Sequence, residues 1–181
     1  MFTKLSILLT FASVMVSVLC APHTLGQLQM GVARATQGVF LIQNSLAEMG
    51  RNSARAQAVN ANLKALIGDL NAIQNDGKAN NMLSKNEGEE TMLSILQFLE
   101  PLGSLMRDLT AKAADFKATT IQGDNSRRIV GVTIVQLAQQ NDATWAAMQN
   151  KLSDPSQKNQ MNTLRSAIQV PIGETLKGFT A

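Results

Sequence analysis

Apolar residues recur along most of the chain at alternating spacings of three and four. The first such stripe runs from Leu25 to Met49, and four more follow over residues 56–73, 92–116, 130–152 and 161–179. This spacing places the apolar side chains on one face of an α-helix, whereas a half-buried strand would alternate apolar and polar residues. The sequence therefore predicts an all-α fold, an up-and-down bundle of about five amphipathic helices.

Residues that are typical of helix ends and turns separate the stripes. Gly50 stands where the first helix should end in a left-handed residue. Asp76-Gly77 is a stop signal for the second helix, which leaves the polar, Asn-rich residues 78–86 as the longest loop. Residues 123–126, with the sequence GDNS, predict a turn before the fourth helix.

Capping residues predict where the third and fifth helices begin. Ser84 and Glu87 have the spacing of a capping box, although Gly88 favours a start just after it. Asp154 is suited to cap the last helix, with Pro155 at the first helical position.

Two prolines fall inside predicted helices. Pro101 lies within the third stripe, where it removes one backbone hydrogen bond and should kink the helix. Pro171 lies within the last stripe, where it should kink the helix or split it in two.

Residues 1–20 have the form of a secretory signal peptide. Lys4 precedes an apolar run over residues 5–19, and a small-residue site and Pro22 follow. The run is shorter than the roughly 20 residues that a membrane-spanning helix needs. We expect cleavage after Cys20, a helical-bundle domain over residues 21–181, and a secreted, extracellular protein. The single cysteine leaves with the signal peptide, so the mature chain should contain no disulfide.

The composition excludes most familiar active sites. The chain has 181 residues, of which 45% are hydrophobic, enough for a real core. One cysteine and one histidine are too few for a multi-cysteine or His-rich metal site. The net charge of +3 is too small and too dispersed for a nucleic-acid-binding surface. We expect a protein that is not an enzyme, with no catalytic residues, no metal, no cofactor and no nucleic-acid partner.

Arg127 and Arg128 stand in an unfavourable place for basic side chains. They belong to the first turn of the predicted fourth helix, where a positive charge opposes the helix dipole. Two interpretations stay open. They meet an anionic group, such as a ligand carboxylate or an acidic polysaccharide, or they form a solvated pair near Asp124.

The predicted interior is rich in flexible and small side chains. The chain contains nine methionines, and Ala, Gly and Thr are frequent while aromatic residues make up 4%. One interpretation is an ordinary core with small residues where helices approach closely. The other is a core that does not fill itself and holds a hydrophobic ligand, with Asn141 and Thr144 as polar contacts.

The third and fourth helices carry a family resemblance. The residues concerned are Glu90-Thr91-Met92-Leu93-Ser94-Ile95-Leu96, Leu99-Glu100-Pro101-Leu102, Leu109-Thr110-Ala111-Lys112 and Phe116, then 130–137 and 144–152. As a pattern of apolar positions punctuated by Pro101, Lys112 and Phe116, they resemble the fungal hydrophobic surface-binding protein A family, which includes the cell-wall galactomannoproteins. The signal peptide, the length and the single-domain layout also fit.

The resemblance implies a secreted helical bundle without catalytic activity. Family members adsorb to hydrophobic surfaces and can bring secreted hydrolases to them, and some galactomannoproteins hold fatty acids in a cavity between helices. The chain lacks the Ser/Thr-rich stalk and the anchor signal of the cell-wall members. A freely secreted form is therefore expected rather than stable attachment to the fungal cell wall.

Two functional hypotheses follow. In the first, the bundle binds a fatty acid or another amphipathic lipid between its helices, or spreads on a hydrophobic solid surface. We predict that an internal lipid is lined by eight residues of the third and fourth helices: Leu99, Leu102, Met106, Phe116, Ile134, Leu137, Trp145 and Met148. In the second, the bundle is closed, and its surface binds a wall polymer, a secreted hydrolase or a host protein.

Overall fold

Five helices and one short hairpin make up the described part of the chain. The computed structural model describes residues 23–79 and 81–180, so the predicted signal peptide at residues 1–20 lies outside the described residues. The elements are α1 (His23–Ala47), α2 (Ser53–Ala79), α3 (Lys85–Lys117), β1 (Thr120–Ile121), β2 (Asp124–Asn125), α4 (Ser126–Gln149) and α5 (Pro155–Thr180). The predicted all-α bundle of five helices is confirmed. No helix in these ranges combines the length and the apolar character needed to span a membrane.

The connection between α3 and α4 is a tight hairpin. Strands β1 and β2 pair antiparallel, with Ile121 opposite Asp124. The two residues between them, Gln122 and Gly123, both have positive φ, of 54° and 87°. A two-residue loop with two left-handed residues matches the right-handed twist of the flanking strands. A turn precedes α4 as predicted, but it lies at Gln122 and Gly123, because Asp124 and Asn125 form β2 and Ser126 begins α4. The strands are too short for the sequence to have shown them.

The end of α1 follows the prediction and the end of α2 does not. Gly50 has a φ of 45° just beyond α1, as expected. The stop predicted at Asp76-Gly77 is wrong, because α2 continues to Ala79. Gly77 is buried inside the helix, and a Cβ atom there would lie 2.8 Å from the Met148 sulfur. This glycine therefore makes room for a neighbouring helix, and the polar loop is shorter than residues 78–86.

The starts of α3 and α5 are set by their predicted caps. The Ser84 backbone N donates to Glu87 Oε2 at 2.8 Å and the Glu87 backbone N donates to Ser84 Oγ, which completes the capping box. The later start suggested by Gly88 is wrong, because that glycine lies inside α3, where the Gln157 amide packs against it. Asp154 Oδ1 accepts from the Ser156 backbone N at 2.7 Å, and α5 begins at Pro155 as predicted.

Both internal prolines lie in unbroken helices. Pro101 is within α3 and Pro171 is within α5, so Pro171 does not split the last helix. The Pro171 carbonyl oxygen accepts a hydrogen bond of 2.9 Å from the Thr175 hydroxyl, four residues on. This bond adds to the helical bonding of the proline's own carbonyl, whereas the carbonyl that loses its backbone donor to the proline is that of Ala167, four residues earlier.

The five helices close into a ring. Each packs against two neighbours, in the order α1, α2, α4, α5, α3 and back to α1. The connections from α2 to α3 and from α3 to α4 therefore join helices that are not neighbours in the ring. Successive helices alternate in direction, but several ring neighbours run parallel.

Side-chain hydrogen bonds between helices establish these directions. Between parallel neighbours, the residue numbers of successive bonded partners rise along both helices. Between antiparallel neighbours, the numbers rise along one helix and fall along the other. The parallel pairs are α2 with α4 (Thr133 to Asn60, Thr144 to Leu70), α3 with α5 (Gln157 to Lys85, Thr175 to Met106) and α1 with α3 (Gln29 to Glu90, Gln43 to Asp108). The antiparallel pair α4 with α5 is joined by Arg127 to Gly178 and Arg165 to Asp142.

The predicted stripes form one continuous core inside the ring. All apolar residues of the first two stripes are buried, and so is most of the other three. Phe98 is also fully buried, whereas Leu99 of the predicted stripe is half-buried. Phe98 of α3 faces Trp145 of α4 across the ring, with 5.8 Å between ring centroids and planes inclined at 57°. Helix α3 thus buries a face wider than a single stripe.

Candidate functional site

A narrow apolar space lies inside the ring, between α1, α2, α3 and α4. No part of it is wide enough for a water molecule, so the volume open to a ligand is about 0 Å³. Small-molecule pockets usually measure about 300–1,000 Å³. The interior is thus closed in this structure. The lining residues are Leu28, Gln29, Val32, Ile73, Thr91, Ser94, Ile95, Trp145 and Met148.

The two hydroxyl groups in this lining are engaged by their own helix. The Thr91 Oγ1 atom donates to the Glu87 carbonyl oxygen at 2.8 Å, and the Ser94 Oγ atom donates to the Glu90 carbonyl oxygen at 3.1 Å. Such bonds to the fourth preceding carbonyl leave the methyl or methylene part of the side chain facing away from the backbone. The space is therefore more apolar than its residue names suggest.

Four buried side-chain polar atoms lack a partner among the described residues, and two of them lie in this space or one helical turn from it. One is Gln29 Oε1, an acceptor, whose amide nitrogen donates to Glu90 Oε2 at 3.4 Å. The other is Asn141 Nδ2, a donor, on a side chain with no exposed surface. Buried polar atoms are nearly always paired in native structures, so each unpaired one requires an explanation.

The other predicted inner polar contact has a structural role. The Thr144 hydroxyl is buried, and its single hydrogen is shared between two acceptors, the Leu70 carbonyl oxygen at 3.0 Å and the Gln140 carbonyl oxygen at 2.7 Å. It therefore joins α4 to α2 at a seam of the ring. Asn141 differs, because one of its two polar atoms is free.

The predicted lipid-lining residues spread along the whole core. Trp145 and Met148 line the narrow space itself. Leu102, Met106, Ile134 and Leu137 are fully buried in the same continuous core, and Leu99 packs against it half-buried. Phe116 lies near the other end of α3, where its ring meets that of Phe179 at 5.4 Å. Their contact with a ligand stays a prediction. Gln29, Ile73 and Ser94 belong to helices or faces that the prediction did not include.

The structure explains why basic residues are tolerated at the start of α4. Nε and Nη2 of Arg127 both donate to the Gly178 carbonyl oxygen, the former at 3.1 Å. Since α5 runs antiparallel to α4, this guanidinium lies at the negative end of the α5 dipole, where a cation is favourable. Arg128 forms an exposed ion pair with Asp124 at 3.2 Å. Arg128 thus lies beside Asp124, as in the second interpretation, whereas Arg127 does not, because its guanidinium is bound to the end of α5.

One acidic residue in the first turn of α3, Glu87, acts in helix capping. The hydrogen bonds that Glu87 accepts from the Ser84 side chain and then from the Ser84 backbone lower the pKa of its carboxyl, against a small opposing effect of burial. Within residues 23–79 and 81–180 no three His, Cys, Asp or Glu side chains lie close enough together to hold a metal ion.

Comparison with known proteins finds structures with a similar fold but no similar sequence. No protein-family model matches the sequence, and no curated protein sequence matches it. Membership of the family that the sequence resembles therefore stays a prediction.

Several solved structures share the architecture, among them the following three. AfMp4p in complex with palmitic acid is 15% identical, with a TM-score of 0.80 over 86% of this chain and 99% of that one. Ligand binding domain 2 of the Penicillium marneffei MP1 protein, with multiple arachidonic acids, is 15% identical, with a TM-score of 0.61 over 82% and 96%. Ligand binding domain 1 of the same protein, with arachidonic acids, is 11% identical, with a TM-score of 0.58 over 87% and 95%.

Proposed function

We propose that this protein binds a fatty acid, or a similar single-chain amphipathic lipid, between its helices, and that it has no catalytic role. The observation that carries the proposal is a closed ring of helices around an apolar interior in which two polar atoms have no partner. The same fold holds palmitic or arachidonic acid in the similar structures, which supports this choice of ligand.

A ligand can enter only if the ring of helices widens, and the way in which the helices pack allows such widening. Each helix is held by two neighbours, and the side chains that meet in the middle are apolar. Met106 and Met148 are buried there, and methionine side chains readily change conformation to fit irregular neighbours. Burial of the alkyl chain supplies the driving force, at roughly 25 cal/mol per Å² of apolar surface before ordering costs.

The unpaired polar atoms offer contacts for the head of the ligand. Asn141 Nδ2 is a donor, which a carboxylate oxygen would satisfy, and Gln29 Oε1 is an acceptor, which a hydroxyl or a protonated carboxyl would satisfy. Pairing either atom would recover the free energy lost when a buried polar group stays unsatisfied, about 1–3 kcal/mol. We infer that the head group lies near one of these two amides.

Surface adsorption is a second candidate function, and a different observation supports it. Several large apolar side chains are exposed on the outside of the bundle, among them Leu41, Leu93 and Val170. They lie on α1, α3 and α5, which are consecutive in the ring. Adsorption to a hydrophobic solid would begin at these exposed side chains and continue by spreading of the bundle. Secretion through the predicted signal peptide, and any association with a cell wall or a hydrolase, belong to the same proposal.

The lipid proposal is tested by native mass spectrometry of the protein stripped with organic solvent and then offered palmitic acid. We expect a discrete added mass of one or more fatty acids. Ser94→Trp should lower the number of palmitic acid molecules that each protein takes up, because the new indole at this half-buried position would occupy the narrow space.

Thr163→Trp is the matched control. Thr163 is exposed on α5, and its hydroxyl also donates to the fourth preceding carbonyl oxygen, at 3.2 Å from Asn159 O. The control therefore loses the same local bond and gains the same indole outside the ring, and it should bind palmitic acid like the original protein. A bare mass for the original protein, or equal uptake by S94W, would rule out the interior site.

A further inference from the structure

An open groove lies on the outside of the bundle, at the end opposite the narrow interior space. Its volume is about 440 Å³, within the range of about 300–1,000 Å³ that is common for small-molecule sites. The first three turns of α4 form one wall, and the ends of α3 and α5 form the others. The lining residues are Lys117, Asn125, Arg127, Arg128, Gly131, Val132, Val135, Phe179 and Thr180.

The floor of the groove is apolar and accessible. Val132 is 55% exposed and Val135 is 39% exposed, although both are β-branched apolar residues on a helix that is otherwise well packed. Gly131 lies beside them, and a Cβ atom there would come within 3.3 Å of Phe179 Cβ. The glycine thus lets α5 approach closely, and the valines project beyond this contact.

The rim of the groove is basic because of how the helices meet. Lys117 is the last residue of α3, and Arg127 and Arg128 lie in the first turn of α4. Arg127 is fixed by its bonds to the Gly178 carbonyl oxygen, so its charge cannot swing away. Asp124 is the acidic side chain here, and its ion pair with Arg128 is exposed at both ends, 72% and 63%. Exposed pairs are weak, about 0–1 kcal/mol, so a second anion can compete for Arg128.

We propose that this groove is a second, external binding site for one single-chain anionic amphiphile of the fatty-acid class. The carboxylate would lie at the basic rim, near Lys117 and Arg128, and the first part of the alkyl chain would cover Val132 and Val135. Charge complementarity selects an anion, and the concave shape selects a single molecule over a flat lipid surface. This inference does not depend on the interior site.

The test is an NMR titration in which dodecanoate, kept below its critical micelle concentration, is added to the protein. The chemical shifts of the valine methyl groups are recorded at each concentration. We expect saturable shifts of the Val132 and Val135 methyl signals. Reversing the charges of both rim side chains near which the carboxylate would lie, K117E/R128E, should weaken this binding by about tenfold, which corresponds to about 1.4 kcal/mol. D124N should tighten it, because it removes the competing anion from Arg128.

Three controls make the result specific. K78E/K85E reverses two exposed charges at the opposite end of the bundle and should leave the valine shifts unchanged. Dodecyl maltoside, which has no charge, should bind the groove at least about tenfold more weakly, the equivalent of about 1.4 kcal/mol. The Trp145 indole signal reports on the interior, so the valine shifts are expected even if that signal stays still.

The proposal is overturned if dodecanoate leaves both valines unshifted. It is also overturned if K117E/R128E binds as tightly as the original protein, or if dodecyl maltoside binds as tightly as dodecanoate. Circular dichroism of each variant checks that the bundle is folded.

Discussion

The indole Nε1 of Trp145 donates a hydrogen bond of 2.8 Å to Oδ1 of Asn141, one turn earlier in α4. Both side chains are buried, so this bond explains why a polar residue interrupts the apolar stripe of α4. An indole N–H buried without a partner is costly, and Asn141 supplies the acceptor within the same helix. The Asn141 Nδ2 atom remains unpaired.

We predict that the effect of Asn141→Leu on stability depends on Trp145. In the original protein, N141L leaves the indole donor unsatisfied and should lower the free energy of unfolding by about 1–3 kcal/mol. In a W145F background no donor is left over, and N141L also removes the unpaired Nδ2, so the same change should be neutral or stabilising. Urea denaturation of the four proteins measures the difference, and equal effects in both backgrounds would show that the bond contributes nothing.

Two helical glycines should respond oppositely to alanine. A Cβ atom on Gly31 would lie 2.7 Å from Cγ1 of Ile73, a β-branched side chain with little freedom to move. Gly31→Ala should therefore destabilise the protein by about 1–3 kcal/mol through overpacking. Gly68 in α2 has nothing within 4 Å of such an atom, so Gly68→Ala should stabilise by about 0.5–1 kcal/mol. Thermal unfolding of the two variants measures the change in stability for each substitution. Changes of the same sign would contradict the packing described.

The two arginines at the start of α4 should differ in their contribution to stability. Arg127 is half-buried and donates twice to the Gly178 carbonyl oxygen, so Arg127→Gln should cost about 1.5–3 kcal/mol, as for hydrogen bonds with a charged group. Arg128 is exposed, and Arg128→Gln should cost no more than about 1 kcal/mol. Urea denaturation at two salt concentrations compares them. An equal cost would mean that the bonds to Gly178 do not stabilise α5.

The capping box of α3 should make part of the stability depend on pH. The pKa of Glu87 is lowered from its ordinary value of 4.5 by bonds that its ionised carboxyl accepts from Ser84. A carboxyl with a lowered pKa stabilises the folded state fully above the ordinary value, and this contribution disappears as the pH falls through the lowered pKa.

The comparison is between the original protein and Glu87→Gln, which keeps an acceptor but does not titrate. The original protein should be the more stable at pH 7, and the difference should vanish as the pH falls below 4.5 and passes the lowered pKa. Glu89→Gln, one residue beyond Gly88, is the control outside the capping box. A difference between the original protein and E87Q that does not change with pH would contradict the hydrogen bonds described.

The sequence was sufficient to predict the helices and most of the core, because burial of one helix face imposes the three-and-four spacing directly. It was not sufficient for the ring order. A stripe shows that a helix has a buried face, and it does not show which helix covers that face. Phe98 illustrates this, since α3 lies between α1 and α5 and also faces α4, so its buried surface extends beyond the stripe that contains Leu99.

Other residues acquire their role from a distant part of the chain. Gly77 has the sequence context of a helix stop, yet Met148 of α4 fills the space beside it. Arg127 conflicts with the dipole of its own helix, and the conflict is relieved by the end of α5. The narrow interior space likewise takes residues from four helices, so no local pattern could have indicated Gln29 or Ser94 as part of its lining.

The hydrogen bonds between helices lie at the seams of the ring, such as Thr133 to Asn60 and Thr110 to Thr175, whereas Phe98 and Trp145 meet across it by ring contact alone. A guest that separates these two rings would break no seam bond, and it would replace dispersion contacts by others of the same kind. Dispersion has little directionality. Selection among alkyl chains should therefore follow length and bulk, and the pattern of double bonds should matter through shape rather than through recognition of any functional group.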